Sequence, residues 1–596
     1  MVMARRLFNK PDKKDFGKWA QPNFMMKWEY ALGETFSDLR ITNEAYSFYQ
    51  RWLAAEKEIA SIKRSDEAVI DRVLARNGVD DAFFAREPKL HQKAGLAFFL
   101  VSYELDAGHI MLFDEMRTGK TKQAIDIARF LLVNKIINQV LIVCPNSIKR
   151  VWINELMKDA PDRAFLSTIV QGTKAKRQEI WRQGFFFYVV GYESLRNDMK
   201  EAYAWQKDKK LKWLLIVDEA HKLKNAAALQ TKVILGTARN YDGLKPDYSV
   251  FLTGTPVANQ PIDIVTTCNF VCPGILGENV EHFKTRFTIR GGYTGGEVTG
   301  YQHLDEIRWR LARISMRRVR SDVMFDESVI MPRYGTLKGD QLKAYEDMRD
   351  KLYAEIIGLS GEPTAVQARN QLSKMIRLQQ ITTGYLSPDP QTIGWFKNYG
   401  WKIQELDDLL KDYLADFGKI VIWSRFVPVL LHLLERYRKH GALICRGQMG
   451  DKAIENMYAF QRKPEHKIML AQYQTSEGKG FQPATAAVFL DKWMSPALNK
   501  QAADRITGIE NPVTTCLIPF ITEGTIDERI EFLLQEKRDW SDAITGDKRT
   551  NEIKLPHLDK HTLLYLLANP DEAKEYESRF KEEKDGQRKF DLRKSK

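Results

Sequence analysis

From His109 to Thr253, short apolar runs alternate with amphipathic stretches. Ile110–Phe113, Val140–Cys144, Phe185–Gly191, Leu214–Asp218 and Val250–Thr253 read as strands, and Lys120–Leu132 and Ile148–Met157 as helices. Near-continuous apolar strands separated by helices predict a parallel α/β sheet with its loops at the strand carboxyl ends. The rhythm then breaks. Gly291-Gly292, Gly295-Gly296 and Gly300 punctuate a loop, and charged helical stretches cover Asp305–Arg320 and Gln341–Ile357. A second series starts near Lys419, with strands at Ile420–Trp423, Ala442–Cys445, Lys467–Ala471, Ala487–Leu490 and Val513–Phe520.

Ahead of the first series, Asn43 caps a predicted helix over Glu44–Ile62. Tyr46, Tyr49, Trp52 and Leu53 share one of its faces and predict the core of a small helical domain. The expected division is therefore a helical accessory region at 1–88 and a first lobe at 89–275. A helical insertion and linker at 276–400, a second lobe at 401–545 and a basic helical tail at 546–596 follow. The fold class is α/β, with two parallel-sheet lobes, helical insertions and helical extensions at both ends.

Composition narrows the partners. A hydrophobic content of 44% argues against disorder over much of the chain. The formal charge of +13 favours a polyanionic partner, nucleic acid first. Cys144, Cys445 and Cys516 lie in apolar strand-like runs and predict buried thiols. Cys268 and Cys272 have no second Cys or His pair nearby, so a zinc site is not expected. The N-terminus is basic and lacks the apolar segment of a signal peptide, and no apolar stretch reaches membrane-spanning length. An intracellular protein with no membrane partner is expected, in a bacterial or phage-infected cytoplasm or in a eukaryotic nucleus. A monomer is expected.

Two segments carry chemistry. The first, Asp114-Glu115-Met116-Arg117-Thr118-Gly119-Lys120-Thr121, lies between a predicted strand and a predicted helix. Backbone amides at a helix N-terminus bind phosphate oxygens. Gly119 permits close approach, Lys120 is expected to bridge terminal phosphates, and the Thr121 hydroxyl to ligate magnesium. Asp114 stands where the general phosphate-loop pattern has Gly. The second segment, Val217-Asp218-Glu219-Ala220-His221, ends a strand in paired acids. Asp218 is expected to hold magnesium and Glu219 to polarise the attacking water.

With these segments the chain resembles superfamily 2 helicases, and among them the Snf2 family of DNA translocases, over residues 89–545. Leu90-His91-Gln92 resembles the upstream glutamine motif, which implies Gln92 on adenine. Leu141–Pro145 with Trp152 and Glu155 resembles the next motif, and Asp218–Asn225 (DEAHKLKN) follows the Snf2 pattern. Leu252–Asn259 (LTGTPVAN) resembles motif III, Ile422–Phe426 (IWSRF) motif IV, Thr475–Gln482 (TSEGKGFQ) motif V, and Gln501–Glu510 (QAADRITGIE) motif VI. Gly524–Glu528 resembles the segment after motif VI. The resemblance implies two RecA-like lobes with ATP and Mg2+ between them. It implies catalytic roles for Lys120, Asp218, Glu219 and Arg505, and nucleotide contacts from Gln92, Met116, Arg117, Thr118, Gly119, Lys120, Thr121, His221 and Gln501. Magnesium falls to Thr121 and Asp218. DNA contacts fall to Pro145, Asn146, Thr253, Thr255, Ser424, Ser476 and Lys479. Arg286–Gly300, Leu304–Asp322 with Arg317-Arg318, and Met331-Pro332-Arg333 resemble the HARP-type annealing-helicase branch, which implies forked or branched DNA.

Three positions depart from the family pattern. Arg117 stands where Gly is general, Glu477 where a small residue is usual, and Gly508 at the second arginine place of motif VI. The expected activity is ATP-dependent translocation on duplex or branched DNA, remodelling, reannealing or migrating strands. An unwinding helicase on single-stranded DNA or RNA is an alternative, and so is a catalytically impaired DNA-binding scaffold.

Overall fold

The computed structural model describes residues 43–574, apart from 209, 237–240, 258–259, 278, 292–296, 320–321, 323–327, 358–374, 390–391, 396–399, 417, 448, 474–479, 507–513, 546–552, 555–559 and 569–571. The chain forms two compact units. Among the described residues, no helix is long and apolar enough to cross a membrane.

The first unit is built on β1 (His109–Leu112), β2 (Gln139–Cys144), β3 (Ser167–Val170), β4 (Phe187–Gly191), β5 (Trp213–Asp218), β6 (Tyr248–Leu252) and β7 (Ser315–Met316). All pairings are parallel, in the order β3-β4-β2-β5-β6-β1-β7. The apolar runs read from sequence are these strands because the central ones are buried on both faces. β3 escaped notice because only Val170 of its four residues is buried.

Helices α1 (Asn43–Lys63), α2 (Glu67–Arg76) and α3 (Leu90–Glu104) precede β1, and α4 (Lys120–Val133) and α5 (Lys149–Asp159) follow β1 and β2. Ala55, Ile62, Ile70 and Val73 share one core with α3 and the sheet. The described accessory helices are thus continuous with the first lobe, where the sequence suggested a separate small core. Trp52 is buried beneath the Arg313 guanidinium, 5.0 Å from its ring centre.

The helix expected over Asp305–Arg320 ends early. It is α6 (Leu304–Ile314), and the chain then extends as β7 along β1, pairing Met111 with Ser315 and Leu112 with Met316. The reason is edge satisfaction: β1 would otherwise bury an unpaired row of backbone groups. Phe113 N donates to Met316 O at 2.7 Å and Glu115 N to Arg318 O at 3.0 Å, carrying the ladder into the loop after β1.

His109, at the start of β1, faces the Ser249 hydroxyl at 3.0 Å. Burial lowers its pKa from 6.5 to about 4, with Asp247 opposing. The folded state therefore refuses a proton that the unfolded chain accepts below pH 6.5. Stability is full above that pH and falls as pH drops toward 4, by about 3 kcal/mol from this group. In His109→Gln, urea unfolding monitored over this range should lose that part of the pH slope; an unchanged slope would refute the assignment.

The second unit carries β8 (Ser328–Ile330), β9 (Arg333–Gly335), β10 (Ile420–Ser424), β11 (Leu443–Cys445), β12 (Ile468–Gln472), β13 (Ala486–Phe489) and β14 (Thr515–Thr522). The order is β8-β14-β13-β10-β12-β11, again parallel, with β9 also on β14. Strands from the expected insertion therefore belong to this sheet. Helices α7 (Gly339–Ile357), α8 (Trp401–Asp416), α9 (Val427–Arg436), α10 (Pro496–Ala503), α11 (Ile526–Thr545) and α12 (Lys560–Leu567) surround it. Tyr345, Leu352, Ile530, Leu534 and Tyr565 share a core, so segments from the expected insertion and tail pack together. The cysteines are free thiols; all are buried except Cys516, which is half-buried.

Candidate nucleotide site

The loop between β1 and α4 is shaped by two left-handed residues. Gly119 has φ 87° and Arg117 φ 64°. This explains why Gly is usual at position 117: a side chain there carries a steric cost of about 1–2 kcal/mol. At Gly119 the constraint is also one of space, since a Cβ would lie 2.1 Å from Gln92 Nε2.

The loop is laced from inside. Thr118 is buried and donates its hydroxyl to Glu115 O at 2.9 Å. Thr118 O lies 2.7 Å from His91 Nε2, which donates, and 3.4 Å from Gln92 Nε2. Gln92 Oε1 accepts from Lys89 N at 3.0 Å, capping α3. Gln92, expected on adenine, is thus placed against the phosphate loop. Lys120 Nζ donates to Asp114 O at 2.6 Å and Glu115 O at 2.7 Å. Met116 is buried, and Thr121 is half-buried in the first turn of α4.

Asp114 marks the departure from the general loop pattern, and the structure shows its use. Its carboxylate is fully buried, accepts from Gln123 Nε2 at 3.1 Å and lies 3.5 Å from Arg318 Nη1. Arg318 Nη1 also donates to His91 O at 2.6 Å. Arg317 Nη1 donates to Phe113 O at 3.0 Å. The Arg317-Arg318 pair, read from sequence as a branch signature, braces the phosphate loop from β7.

The second segment ends β5, separated from β1 in the sheet by β6. Parallel strands place their carboxyl ends along one edge, where such sheets bind ligands. Asp218 Oδ1 accepts from Glu219 N and Oδ2 from Trp152 Nε1, both at 2.9 Å. Burial and then the Glu219 charge push Asp218 up to about 7, while the Trp152 N–H and the Lys120 ammonium pull against them. That coupling places Lys120 within electrostatic reach of Asp218. Glu219 sits in the left-handed region at φ 55°, and its Oε2 lies 3.3 Å from His221 Nδ1. The same ring nitrogen lies 3.1 Å from Thr253 Oγ1, which accepts from Thr255 N at 3.2 Å. Thr253 N in turn donates to Leu112 O at 3.1 Å. The acid pair, motif III and the strand feeding the phosphate loop are thereby joined.

A carboxylate at the end of β5 and a half-buried hydroxyl in the first turn of α4 are ligand types that suit a magnesium ion taking its remaining ligands from phosphates and water. Asp218 keeps lone pairs for this, because each carboxylate oxygen accepts two.

Several expected DNA contacts are placed elsewhere. Thr253 and Thr255 are buried, and the Thr253 hydroxyl faces His221 within the lobe. Pro145 is buried, and the exposed Asn146 donates to Glu193 at 3.3 Å. Ser424 is fully buried and donates to Asp491 Oδ2 at 2.5 Å, while Arg425 N donates to Oδ1 at 2.9 Å. Thr253 and Ser424 thus use their hydroxyls to brace their own loops. Ser476 and Lys479 lie outside the described residues, as do Glu477 and Gly508.

In the second unit, Gln501 is buried on α10, and Arg505 is buried just beyond its end, with Arg505 O accepting from Phe481 N at 2.9 Å. Residues without an expected role emerge as neighbours of the site: His91, Gln123, Trp152, Tyr192 and Arg318. The motifs flagged His91, Trp152 and Arg318; nothing in the sequence singled out Gln123 or Tyr192.

Residues 91–384 match the family model of the SNF2-related domain. The ISWI chromatin-remodeling complex ATPase CHR11 of Arabidopsis thaliana is 28% identical over 461 residues, covering 74% of this chain and 41% of that protein. The putative ATP-dependent helicase/translocase YwqA of Bacillus subtilis is 24% identical over 466 residues, covering 76% of this chain and 48% of that protein. The chain thus spans less than half the length of these curated relatives. Among solved structures, the SWI2/SNF2 ATPase core of Sulfolobus solfataricus in complex with dsDNA aligns with 22% identity and a TM-score of 0.37, covering 78% of this chain and 95% of that one. Residues 91–384 thus carry an SNF2-related domain, and the chain is similar to Snf2-type ATPases and translocases over about three quarters of its length.

Proposed function

We propose that the chain hydrolyses ATP and couples the hydrolysis to movement along DNA. The observation that carries this reading is Lys120. Its ammonium is held by two loop carbonyls at the head of α4, within electrostatic reach of Asp218. A triphosphate offers that ammonium stronger, anionic acceptors than the carbonyls it now uses. The backbone amides at the start of α4 bind the same phosphates. Gln92 and His91 hold the loop in shape around them, and Glu219, near His221, orients the attacking water. Thr121 and Asp218 would hold Mg2+, which when bound supplies charge neutralisation during phosphoryl transfer. Arg505 is the second lobe's candidate for stabilising the transferring phosphoryl group, and Gln501 a candidate nucleotide contact.

The formal charge of +13 and the likeness to proteins described as remodelling ATPases and translocases support DNA as the track. Binding through phosphates gives little base readout and a steep loss of affinity with salt. The HARP-like segments favour forked or branched duplexes. The test is ATPase rate across duplex, forked, four-way and single-stranded DNA and RNA. Duplex or forked DNA should stimulate most. Stimulation by RNA alone would replace the reading with an RNA helicase, and absence of hydrolysis on every substrate would replace it with a binding scaffold.

A further inference from the structure

The Asp218 carboxylate is gripped from behind by a side chain that this mechanism leaves unused. Trp152 lies on α5, is 1% exposed and packs in the first lobe's core with Leu156 and Cys144. Its Nε1–H donates to Asp218 Oδ2 at 2.9 Å, opposite the Glu219 N–H on Oδ1 at the same distance. Tyr192 OH donates to the backbone oxygen of Asp218 at 2.6 Å, so the residue is held at three points. An indole N–H donates only, so it cannot itself ligate a cation. A hydrogen bond from it favours the ionised carboxylate and fixes the plane in which the remaining lone pairs point.

We infer that Trp152 is a positioning residue for the divalent cation that accompanies the nucleotide. It touches neither metal nor phosphate; it sets cation affinity by orienting Asp218. The inference rests on the ATP reading above. Groups that orient a metal ligand from behind typically change metal affinity about 10- to 100-fold when removed.

Trp152→Phe keeps an aromatic ring in the core and removes the donor. The readout is the Mg2+ concentration needed for half-maximal tightening of binding of a fluorescent ADP analogue, with metal-free binding measured alongside. That concentration should rise about tenfold, with metal-free ADP affinity unchanged. Because phenylalanine also leaves space in the core, a second variant carries β-(3-benzothienyl)alanine at position 152, which matches the indole in shape and lacks the N–H. It should show the same rise. A wild-type Mg2+ requirement in the benzothienyl variant would overturn the inference, whatever the phenylalanine variant does, since packing alone would then explain the latter. An unsubstituted chain that binds no nucleotide would overturn both readings; one that binds nucleotide with a Mg2+ response preserved in both variants would overturn this one alone.

Discussion

Lys120→Ala should lower ATP turnover by about 10²- to 10³-fold while leaving DNA affinity unchanged. The size follows from losing one positive charge placed against the phosphates on the proposed reading. Lys120 is half-buried and bonded to two loop carbonyls, so its removal also frees Asp114 O and Glu115 O. Those carbonyls belong to a loop already fixed by Thr118, His91 and the Arg318 backbone, so the fold should tolerate the change. Single-turnover ATP hydrolysis and salt-dependent DNA binding, measured on the same preparation, separate the effects. Turnover near that of the unsubstituted chain would remove the phosphate-loop assignment.

The second large effect concerns stability. Arg318→Met should destabilise the first lobe by about 3 kcal/mol, because it strands a fully buried carboxylate at Asp114 with a neutral amide beside it. Gln123 can hydrogen-bond that carboxylate but cannot balance its charge. The loss should appear as faster amide exchange in β1 and the first turn of α4, and as weaker nucleotide binding, since His91 O loses its donor too. Combining Arg318→Met with Asp114→Asn removes both charges and should recover most of the stability. If the single variant unfolds within about 0.5 kcal/mol of the unsubstituted chain, the buried pair is not what secures the loop.

The sequence pattern and the structure part company at specific residues. Val140–Cys144 and Leu214–Asp218 were legible as strands because central parallel strands are apolar throughout, and each matches the observed element to within a residue. The helix after Gly119 was legible because Lys120–Leu132 is amphipathic and follows a strand and a Gly-Lys-Thr loop, and it matches the observed element to within a residue. Ser315-Met316 was not. Their neighbours repeat at helical spacing, and only the open edge of β1 draws them into a strand. The internal bonding of three residues expected at DNA was not legible for a related reason. Thr253, Thr255 and Ser424 are small polar residues after strand ends, and sequence does not distinguish a hydroxyl that faces a ligand from one that braces its own loop.

The phosphate-loop residues, the paired acids after an apolar strand and the order of motifs that resembles the Snf2 family are all short-range patterns, legible from the sequence by itself. Partners distant along the chain settled how those groups are held. Arg318 reaches Asp114, Trp152 reaches Asp218, and Thr253 reaches His221 across gaps that no periodicity spans. A buried charge or hydroxyl takes whichever complementary group the packed sheet brings within about 3 Å, and that choice exists only once the strands have assembled.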